Sequence, residues 1–411
     1  MRIGFFTDSY LPQLDGVATT VASLATTLQQ RGHEVSIIAP KYPMYKDSGN
    51  VNVFRLRSVK VHNEPEIRFG LQLPEKAMIN VLKMDFDIIH GHAGGTITFL
   101  GWQVARLKNI PYVATYHTLW SRYHHYFFKG KIITPKMLEV TSKIFCNICD
   151  YVIAPSEEIK KELLSYGVRR SVVAIPSGVD LGRFSTKKKG YLRSRLKIPK
   201  DLKILLYVGR LGKEKSVDLL IEAFSQVRNT REEVVLVLVG AGTEELHLKR
   251  LAKKNKLESS VFFTGPITRE DIQDVYSDAD IFLFASTSET QGMVVFEALA
   301  SGLPVIAATD RIFKNIIING TNGYLVEANK HEFSKKIVQL LLDDQLRKNM
   351  GDNAKELVKQ YALSETVRLV ENLYKKVLRI HKKKPRGFKE RLSYVNEILQ
   401  NLRRRYEVYL R

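Results

Sequence analysis

Two successive series of short apolar runs, each alternating with helical patterns, constrain the fold of this 411-residue chain more than any other feature. The first series extends from Arg2–Thr7 to Val172–Ile175, and the second from Ile204–Val208 to Tyr324–Val326. Runs of this length and composition are typical of buried strands. Strands that alternate with helices form parallel sheets with helices on both faces. We therefore predict an α/β protein with two Rossmann-like, doubly wound domains.

The two series are separated by a polar and basic stretch, Ser185–Lys189, which Gly190 follows. A chain of this length also exceeds what one ordinary hydrophobic core accommodates. We predict an N-terminal domain over 1–185, a second domain over 186–365 and a helical C-terminal segment over 366–411. Two such domains would leave a cleft between the carboxyl ends of their strands, where ligands bind in folds of this class.

The formal net charge of +21 is concentrated in the N-terminal part and the C-terminal tail, whereas the middle of the chain is close to neutral. An excess of this kind indicates an anionic partner, either nucleic acid or an acidic lipid surface, or serves solubility alone. No recognisable nucleic-acid module accompanies it, which favours the lipid surface. The composition, 44% hydrophobic and 26% charged, excludes a disordered chain.

Targeting and redox features point to the cytoplasm. No apolar run approaches the roughly 20 residues that span a bilayer, and the N-terminus lacks the pattern of a secretory signal. Two cysteines, Cys146 and Cys149, do not make a disulfide framework, and without a second pair they do not make a structural zinc site. We expect both to be buried as small apolar side chains.

Three motifs follow strand ends, where ligand chemistry is expected. Asp15-Gly16-Val17 opens a helix after the first strand, where a helix N-terminus favours negative charge, although a tight turn would look the same. In the run Gly209–Lys215, Arg210 and Lys215 could grip a diphosphate, or they could be ordinary solvated cations.

The third motif, Glu289–Glu297, has two carboxylates flanking a glycine at a predicted helix start. Amides after Gly292 could bind a phosphate, while Glu297 could accept from ribose hydroxyls and Glu289 from a sugar. Paired carboxylates are also found in glycoside hydrolases, but a hydrolase has no need of a phosphate-binding helix start. Two solvated glutamates are the remaining alternative.

Taken together, these motifs resemble the retaining GT-B glycosyltransferases of family 4. The resemblance covers about 1–380, and Ser177–Phe184 (SGVDLGRF) is similar to the linker of that family. It is carried by the segments GRLGKEKSVDLLIEAF, LVGAG, FTGPI and SETQGMVVFEALASGLPVIA. Within the family, TYHTLWSRYHHYF and SETQGM are most similar to bacterial diacylglycerol glucosyltransferases.

The resemblance implies roles by position, with a nucleotide-sugar donor in the second domain and the acceptor in the first. The predicted catalytic residues are His117, Glu289, Arg210 and Lys215, with both cations on the donor diphosphate and His117 near the reacting sugar. The predicted donor-binding residues also include Gly16, Gly265, Ile267, Gly292, Met293, Val294 and Glu297, with Gly265 and Ile267 beside the base. One departure is Asp15-Gly16, where many members have paired glycines.

The resemblance further implies retention of the anomeric configuration by front-face attack, without a metal or other cofactor, because fixed cations stabilise the leaving diphosphate. We expect transfer of a hexose, glucose or galactose, from a UDP-sugar to a membrane lipid such as 1,2-diacylglycerol. Alternatives are a soluble or polymer-linked acceptor, a sugar-nucleotide sensor without turnover, and a nucleic-acid-binding protein. The sequence indicates no particular oligomeric state.

Three basic segments could contact a membrane at its cytoplasmic face. In the tail, a stripe at helical spacing between Phe388 and Tyr409 is surrounded by lysines and arginines, as in an interfacial helix, although it could pack on the protein or a second subunit. Leu73, Ala77, Val81 and Met84 form a shorter stripe that could equally pack in the core. A basic-aromatic stretch, Trp120–Lys131, lies beside His117.

Overall fold

The computed structural model describes residues 1–13, 15–47, 51–61, 64–73, 75–122, 134–185 and 190–381. Two parallel sheets, each flanked by helices, account for most of these residues, and the predicted pair of Rossmann-like domains is confirmed. The C-terminal stripe beyond 381, the basic-aromatic residues 123–131 and linker residues 186–189 lie outside the described part of the chain.

The N-terminal sheet has seven strands in the order β3-β2-β1-β6-β7-β8-β9, and a two-stranded hairpin, β4-β5, is attached to it. The strands are β1 (Arg2–Thr7), β2 (Glu34–Pro40), β3 (Asn52–Leu56), β4 (Ser58–Val61), β5 (Glu64–Gly70), β6 (Ile88–His92), β7 (Tyr112–Thr115), β8 (Tyr151–Ala154) and β9 (Ser171–Ala174). The helices are α1 (Gly16–Gln30), α2 (Lys76–Lys83), α3 (Thr96–Lys108), α4 (Pro135–Ile148) and α5 (Glu157–Ser165). The hairpin and β3 had no counterpart among the predicted strands, because neither is a buried apolar run.

The second sheet has six strands in the order β12-β11-β10-β13-β14-β15. Its strands are β10 (Lys203–Val208), β11 (Val234–Val239), β12 (Val261–Gly265), β13 (Ile281–Phe284), β14 (Val305–Ala308) and β15 (Gly323–Val326). Its helices are α6 (Leu181–Ser185), α7 (Tyr191–Leu196), α8 (Val217–Arg228), α9 (Glu245–Lys254), α10 (Ile272–Asp278), α11 (Met293–Ala300), α12 (Lys330–Leu342) and α13 (Asp344–Val358).

Both sheets reverse their strand order at one point, between β1 and β6 in the first and between β10 and β13 in the second. At such a switch point, the loops that leave the two central strands run to opposite faces and open a crevice at the carboxyl edge. The loops after β1, β10 and β13 carry the three strand-end motifs found in the sequence. The topology thus accounts for their convergence.

The last described helix, α14 (Leu363–His381), returns to the N-terminal domain. Its inward side chains Val367, Val370, Leu373, Tyr374 and Val377 join the core formed by β1, β2 and α1. On the same helix the buried carboxylate of Glu371 accepts from Arg31 Nε and lies 2.9 Å from His33 Nε2. The described part of the predicted C-terminal segment, 366–381, is therefore packed on the first domain.

The chain crosses between the domains twice, and the two crossings lie side by side. Val179 N donates to Tyr361 O at 3.0 Å, and Leu363 N donates to Val179 O at 2.9 Å. Any Cβ at Gly178 would come within 2.4 Å of the Cα of Leu363, so only glycine permits this approach. The two segments that connect the domains are thereby held side by side by hydrogen bonds.

The two cysteines are buried and free, as expected. Burial raises the pKa of the Cys146 thiol to about 12. The predicted stripe at 71–84 is also revised: the helix begins at Lys76, and Val81 packs into the core together with Ala77 and Met84. These three members of the stripe therefore face the core, whereas Leu73, before the helix, is 43% exposed.

We expect Leu373→Ala to destabilise the protein by about 3 kcal/mol, because it removes a buried side chain from the core that α14 shares with the first domain. Urea unfolding followed by circular dichroism measures the change. Lys375→Ala, on the exposed side of the same helix, should stay within about 0.5 kcal/mol of the wild type. Equal stability of both variants would contradict the packing.

Candidate active site between the two domains

The loop between β13 and α11 of the second domain is hydrogen-bonded to the first domain and to the linker. The hydroxyl of Thr290 donates to the carbonyl oxygen of His117 at 2.6 Å, and Ser156 Oγ donates to Thr290 O at 3.2 Å. The side-chain amide of Gln291 makes two hydrogen bonds to the backbone of Ser177, each of 2.8 Å. Predicted residues of both domains, Glu289 and His117, are thus brought to the same crevice.

Lys215 and Glu289 form an ion pair in this crevice. Their side chains are only 14% and 12% exposed, so each charge has lost most of its water and depends on the other. Lys215 lies on the short helical turn Lys213–Lys215 that follows β10, and Glu289 follows β13. The adjacent positions of β10 and β13 in the sheet explain how two residues 74 positions apart meet.

Arg210, the second predicted cation, donates from Nη2 to Glu214 Oε1 at 2.7 Å. The Glu214 side chain is 3% exposed, so this carboxylate is buried beneath a guanidinium that remains one-third exposed. Sequence reasoning did not single out Glu214, although its position between two cations in Gly209–Lys215 was a usable signal. The pair holds the guanidinium at the mouth of the loop, where the planar donor group can meet an anion.

Gly292 adopts a left-handed conformation with φ of 73° immediately before α11. A Cβ there would lie 2.8 Å from the ring of Phe313, so both the dihedral angle and the space require glycine. No side chain caps this helix, and the amides of Met293 and Val294 belong to its first turn. A helix start without a side-chain cap can bind an anion. The predicted phosphate contact of Gly292, Met293 and Val294 stays a prediction.

Glu297 lies on α11, half-buried, and accepts a hydrogen bond of 2.8 Å from the hydroxyl of Tyr276. Burial raises the pKa of the Glu297 carboxyl to about 7, although Arg183 and Arg269 act in the opposite direction. A carboxyl group with this pKa exchanges its proton near neutral pH and can accept from or donate to a hydroxyl. Tyr276 and the two arginines were not among the predicted site residues.

The remaining predicted donor residues differ in what they offer. At Gly265, a Cβ would meet nothing within 4 Å, so space is open above the backbone after β12. The side chain of Ile267 is 8% exposed and packs into the core of the second domain. Its side chain therefore leaves little surface for a ligand, and its predicted place beside the base stays a prediction.

The helix start at Gly16 is capped by a side chain, and the predicted ligand contact of Gly16 stays a prediction. Asp15 caps α1 by accepting from the amide of Ala18 at 2.8 Å, and it also accepts from Ser9 Oγ and Gln13 Nε2. A carboxylate already stabilises this N-terminus, which weakens the attraction for a second anion. Around Gly16 itself a Cβ would meet nothing within 4 Å, so the approach is sterically open.

His117 follows β7 and is half-buried, with its Nε2 atom 3.0 Å from His92 Nδ1. Burial lowers the pKa of His117 to about 4, so the ring is neutral at pH 7. His90 and His92, which lie on one face of β6, were missed by sequence reasoning. Their alternation in IIHGH at the end of a buried strand was the available signal.

A separate cavity of about 590 Å³ lies between α5, the start of α4 and Arg311 of the second domain. Glu139, Glu158, Lys161, Glu162, Arg122 and Arg311 contribute charges of both signs to its lining. Arg311 forms an ion pair with Glu162 across the domains. The cavity is therefore a charged interdomain contact, apart from the crevice that holds Lys215 and Glu289.

Among the described residues, no group of three or more histidine, cysteine, aspartate or glutamate side chains is arranged to hold a metal ion. The charges that the crevice offers to an anion are instead those of Lys215 and Arg210. The expectation that the site works without a metal stays a prediction.

We expect the free energy of unfolding to fall as pH rises from about 5 to 8, by up to about 3 kcal/mol from Glu297. The folded protein keeps the proton up to about pH 7, whereas the unfolded chain releases it near the ordinary value of 4.5. Glu297→Gln should lack this component, as measured by urea unfolding at both pH values. Glu258→Gln, on the surface, should behave like the wild type. A wild-type slope in the Glu297→Gln variant would contradict the assignment.

Comparison with known proteins agrees with this geometry. Residues 14–183 match the family described as Glycosyltransferase Family 4, and residues 189–357 match Glycosyl transferases group 1. Alpha-monoglucosyldiacylglycerol synthase of Streptococcus pneumoniae is 35% identical over 83% of this chain and 78% of its own length. A GDP-mannose-dependent alpha-mannosyltransferase of Mycobacterium tuberculosis is 30% identical over 81% and 85%, respectively.

A solved structure extends the agreement to the fold. The HepE protein of Anabaena, crystallised with UDP and glucose, superposes with a TM-score of 0.73 over 92% of this chain and all of its own, at 19% identity. At that identity the likeness concerns the architecture of two facing domains. Together with the family matches, it shows that the chain belongs to the GT-B glycosyltransferases of family 4 and is a hexosyltransferase.

Proposed function

We propose that the protein transfers glucose from UDP-glucose to 1,2-diacylglycerol in a membrane, with retention of the anomeric configuration. The observation that carries the proposal is the buried Lys215–Glu289 pair, placed beside the uncapped start of α11 and linked to His117 through Thr290. The cation and the amides suit a donor diphosphate, and the carboxylate suits its sugar. The contact through Thr290 places the acceptor domain beside them.

The donor half of the proposal is supported by charge. A diphosphate needs cations and amide donors, and Lys215, Arg210 and the first turn of α11 provide both at one edge of the sheet. The HepE structure supports a uridine nucleotide, since it contains UDP and glucose. Galactose is the alternative sugar.

Chemistry would follow from the same residues. As the bond between the sugar and the diphosphate breaks, negative charge grows on the leaving oxygen. Lys215 and Arg210 are fixed by carboxylates before the reaction, so they stabilise that charge without reorganising. The leaving diphosphate then takes the proton of the attacking hydroxyl on the same face of the sugar, which retains the configuration and requires no protein nucleophile or metal.

The acceptor half is supported by the relative from Streptococcus pneumoniae, whose name includes diacylglycerol. A soluble or polymer-linked acceptor is the alternative. Purified protein incubated with radiolabelled UDP-glucose and vesicles of diacylglycerol and anionic phospholipid distinguishes the two. Labelled lipid with an α-linkage by proton NMR is the expected product, and its absence over a range of anionic lipid contents would reject the lipid acceptor.

We expect Lys215→Ala to lower kcat about 100-fold or more, because the developing charge on the diphosphate loses its buried cation. Transfer to vesicles at saturating donor measures kcat. Lys213→Ala, an exposed lysine two positions away on the same turn, is the matched control and should retain wild-type activity. Equal activity of the two variants would remove Lys215 from the mechanism.

Contact with the cytoplasmic face of a membrane is supported by exposed apolar side chains on the first domain. On α2, Ile79 and Leu82 are 47% and 41% exposed on neighbouring turns, and the exposed Lys76 and Lys83 lie on the same helix. On the hairpin, Val59 pairs with Phe69 across the two strands, and both are 48% exposed. Apolar side chains next to lysines suit an anionic bilayer surface. In the described part of the chain, no helix has the length and apolarity needed to cross a bilayer.

We expect the double variant Ile79→Ser, Leu82→Ser to bind anionic vesicles at least tenfold more weakly, because two apolar side chains no longer enter the interface. Flotation with the vesicles measures binding, and the KM for UDP-glucose should stay unchanged. Leu246→Ser, which alters a 70% exposed leucine on the second domain, is the control.

Deletion of 386–411 tests the basic tail in the same assay. We expect that deletion to weaken vesicle binding more than donor binding. Full binding by both the double variant and the deletion would contradict the membrane contact.

A further inference from the structure

Three histidines near the crevice contact one another in a row, and one of their ring nitrogens has no hydrogen-bond partner among the described residues. His90 and His92 lie on β6 at 0% and 1% exposure, with ring centroids 4.0 Å apart. His92 and His117 are stacked at 5.3 Å with an interplanar angle of 29°. Within the described structure, the Nε2 atom of His92 is buried and has no hydrogen-bond partner.

His90 is satisfied at both ring nitrogens. Its Nδ1 atom lies 2.6 Å from the hydroxyl of Tyr374 on α14, and its Nε2 atom lies 2.7 Å from Thr115 Oγ1. Because a hydroxyl can donate or accept, His90 tolerates either tautomer. His90 therefore does not determine which nitrogens of His92 and His117 carry a proton.

Both rings of that pair are neutral at pH 7. Burial lowers the pKa of His117 to about 4 and that of His92 well below the ordinary value. Between His92 Nδ1 and His117 Nε2, 3.0 Å apart, there is therefore one proton to share, and one of the two nitrogens donates.

The unpartnered Nε2 atom of His92 indicates which of the two rings donates the hydrogen bond between them. If His117 donated, the proton of His92 would sit on Nε2 as a buried N–H group without an acceptor. If His92 donates from Nδ1, the buried Nε2 atom is only an unused lone pair. Orphaned buried N–H groups are the rarer and costlier of the two in proteins.

We infer that His92 is a positioning residue, which donates from Nδ1 to His117 Nε2 and thereby fixes His117 as the tautomer that carries its proton on Nδ1. The half-buried His117 ring has its Nε2 edge against His92, so Nδ1 is the nitrogen left for a ligand in the crevice. A neutral Nδ1–H group can donate to a sugar hydroxyl and cannot act as its base. That role toward a sugar rests on the proposed function, whereas the tautomer does not.

Nitrogen-15 NMR of the full-length protein with labelled histidine tests the tautomer without any substrate. The His117 signals are assigned by their loss in His117→Gln. A protonated Nδ1 and an unprotonated Nε2 are expected at pH 7, and the opposite pattern would overturn the inference. This measurement stands even if glucose transfer to diacylglycerol is not observed.

Two variants test whether His92 is the cause. His92→Phe keeps a flat ring beside Phe5 and His90 but removes the donor, so His117 should show signals of both tautomers. His92→Asn restores an N–H group the same number of bonds from Cα, so the Nδ1–H form should return. A single, unchanged tautomer in His92→Phe would overturn the inference, and His92→Asn provides the test if the Phe variant does not fold.

Kinetics then separate positioning from structure. We expect His92→Phe to lower kcat about tenfold or more while the KM for UDP-glucose changes less than about twofold, with partial recovery of kcat in His92→Asn. His331→Asn, at an exposed position on α12, should have no effect on either constant. Equal losses in both His92 variants without a change of tautomer would assign His92 a purely structural role.

Discussion

The contact between Gln291 and Ser177 is the constraint on which the arrangement of the crevice depends. A single buried side-chain amide satisfies both the N–H and the C=O of one linker residue, much as a neighbouring strand would. Thr290, the residue before Gln291, donates to the carbonyl of His117, and Glu289 pairs with Lys215. Three consecutive residues therefore fix the linker, the first domain and the buried cation relative to one another.

Charge in the crevice is organised by pairing. Lys215 and Arg210 each have a carboxylate partner, so each partly desolvated cation has a counter-charge. Pairing also holds their positions before an anion arrives. Glu297 is treated differently, since Tyr276 supports it with a neutral hydroxyl, and its pKa moves toward 7. The same surface thus combines fixed positive charge with a carboxyl group whose charge is adjustable.

Much of the fold could be predicted from sequence, because parallel strands buried on both faces are continuous apolar runs, as in β10 and β11. The hairpin β4-β5 could not, since β4 is not a buried apolar run. Lys215, Glu289 and Gly292 follow strand ends, so their approach to one edge of the sheet could be predicted from position, whereas their roles toward a ligand stay predictions. Gln291 and Tyr276 were missed, because what they do depends on partners 114 and 21 residues away. The motif Asp15-Gly16-Val17 was also noticed in the sequence, but the role of Asp15 as the cap of α1 was not predicted.

The return of α14 to the first domain means that the second domain is, in chain topology, an insertion whose entry and exit touch. The two crossing segments are hydrogen-bonded to each other at Val179, Tyr361 and Leu363. A rigid-body rotation of one domain against the other would have to bend both segments at the same place, because they are hydrogen-bonded to each other. The axis of any opening is thereby set by the backbone at Gly178, next to the Ser177 residue that Gln291 binds.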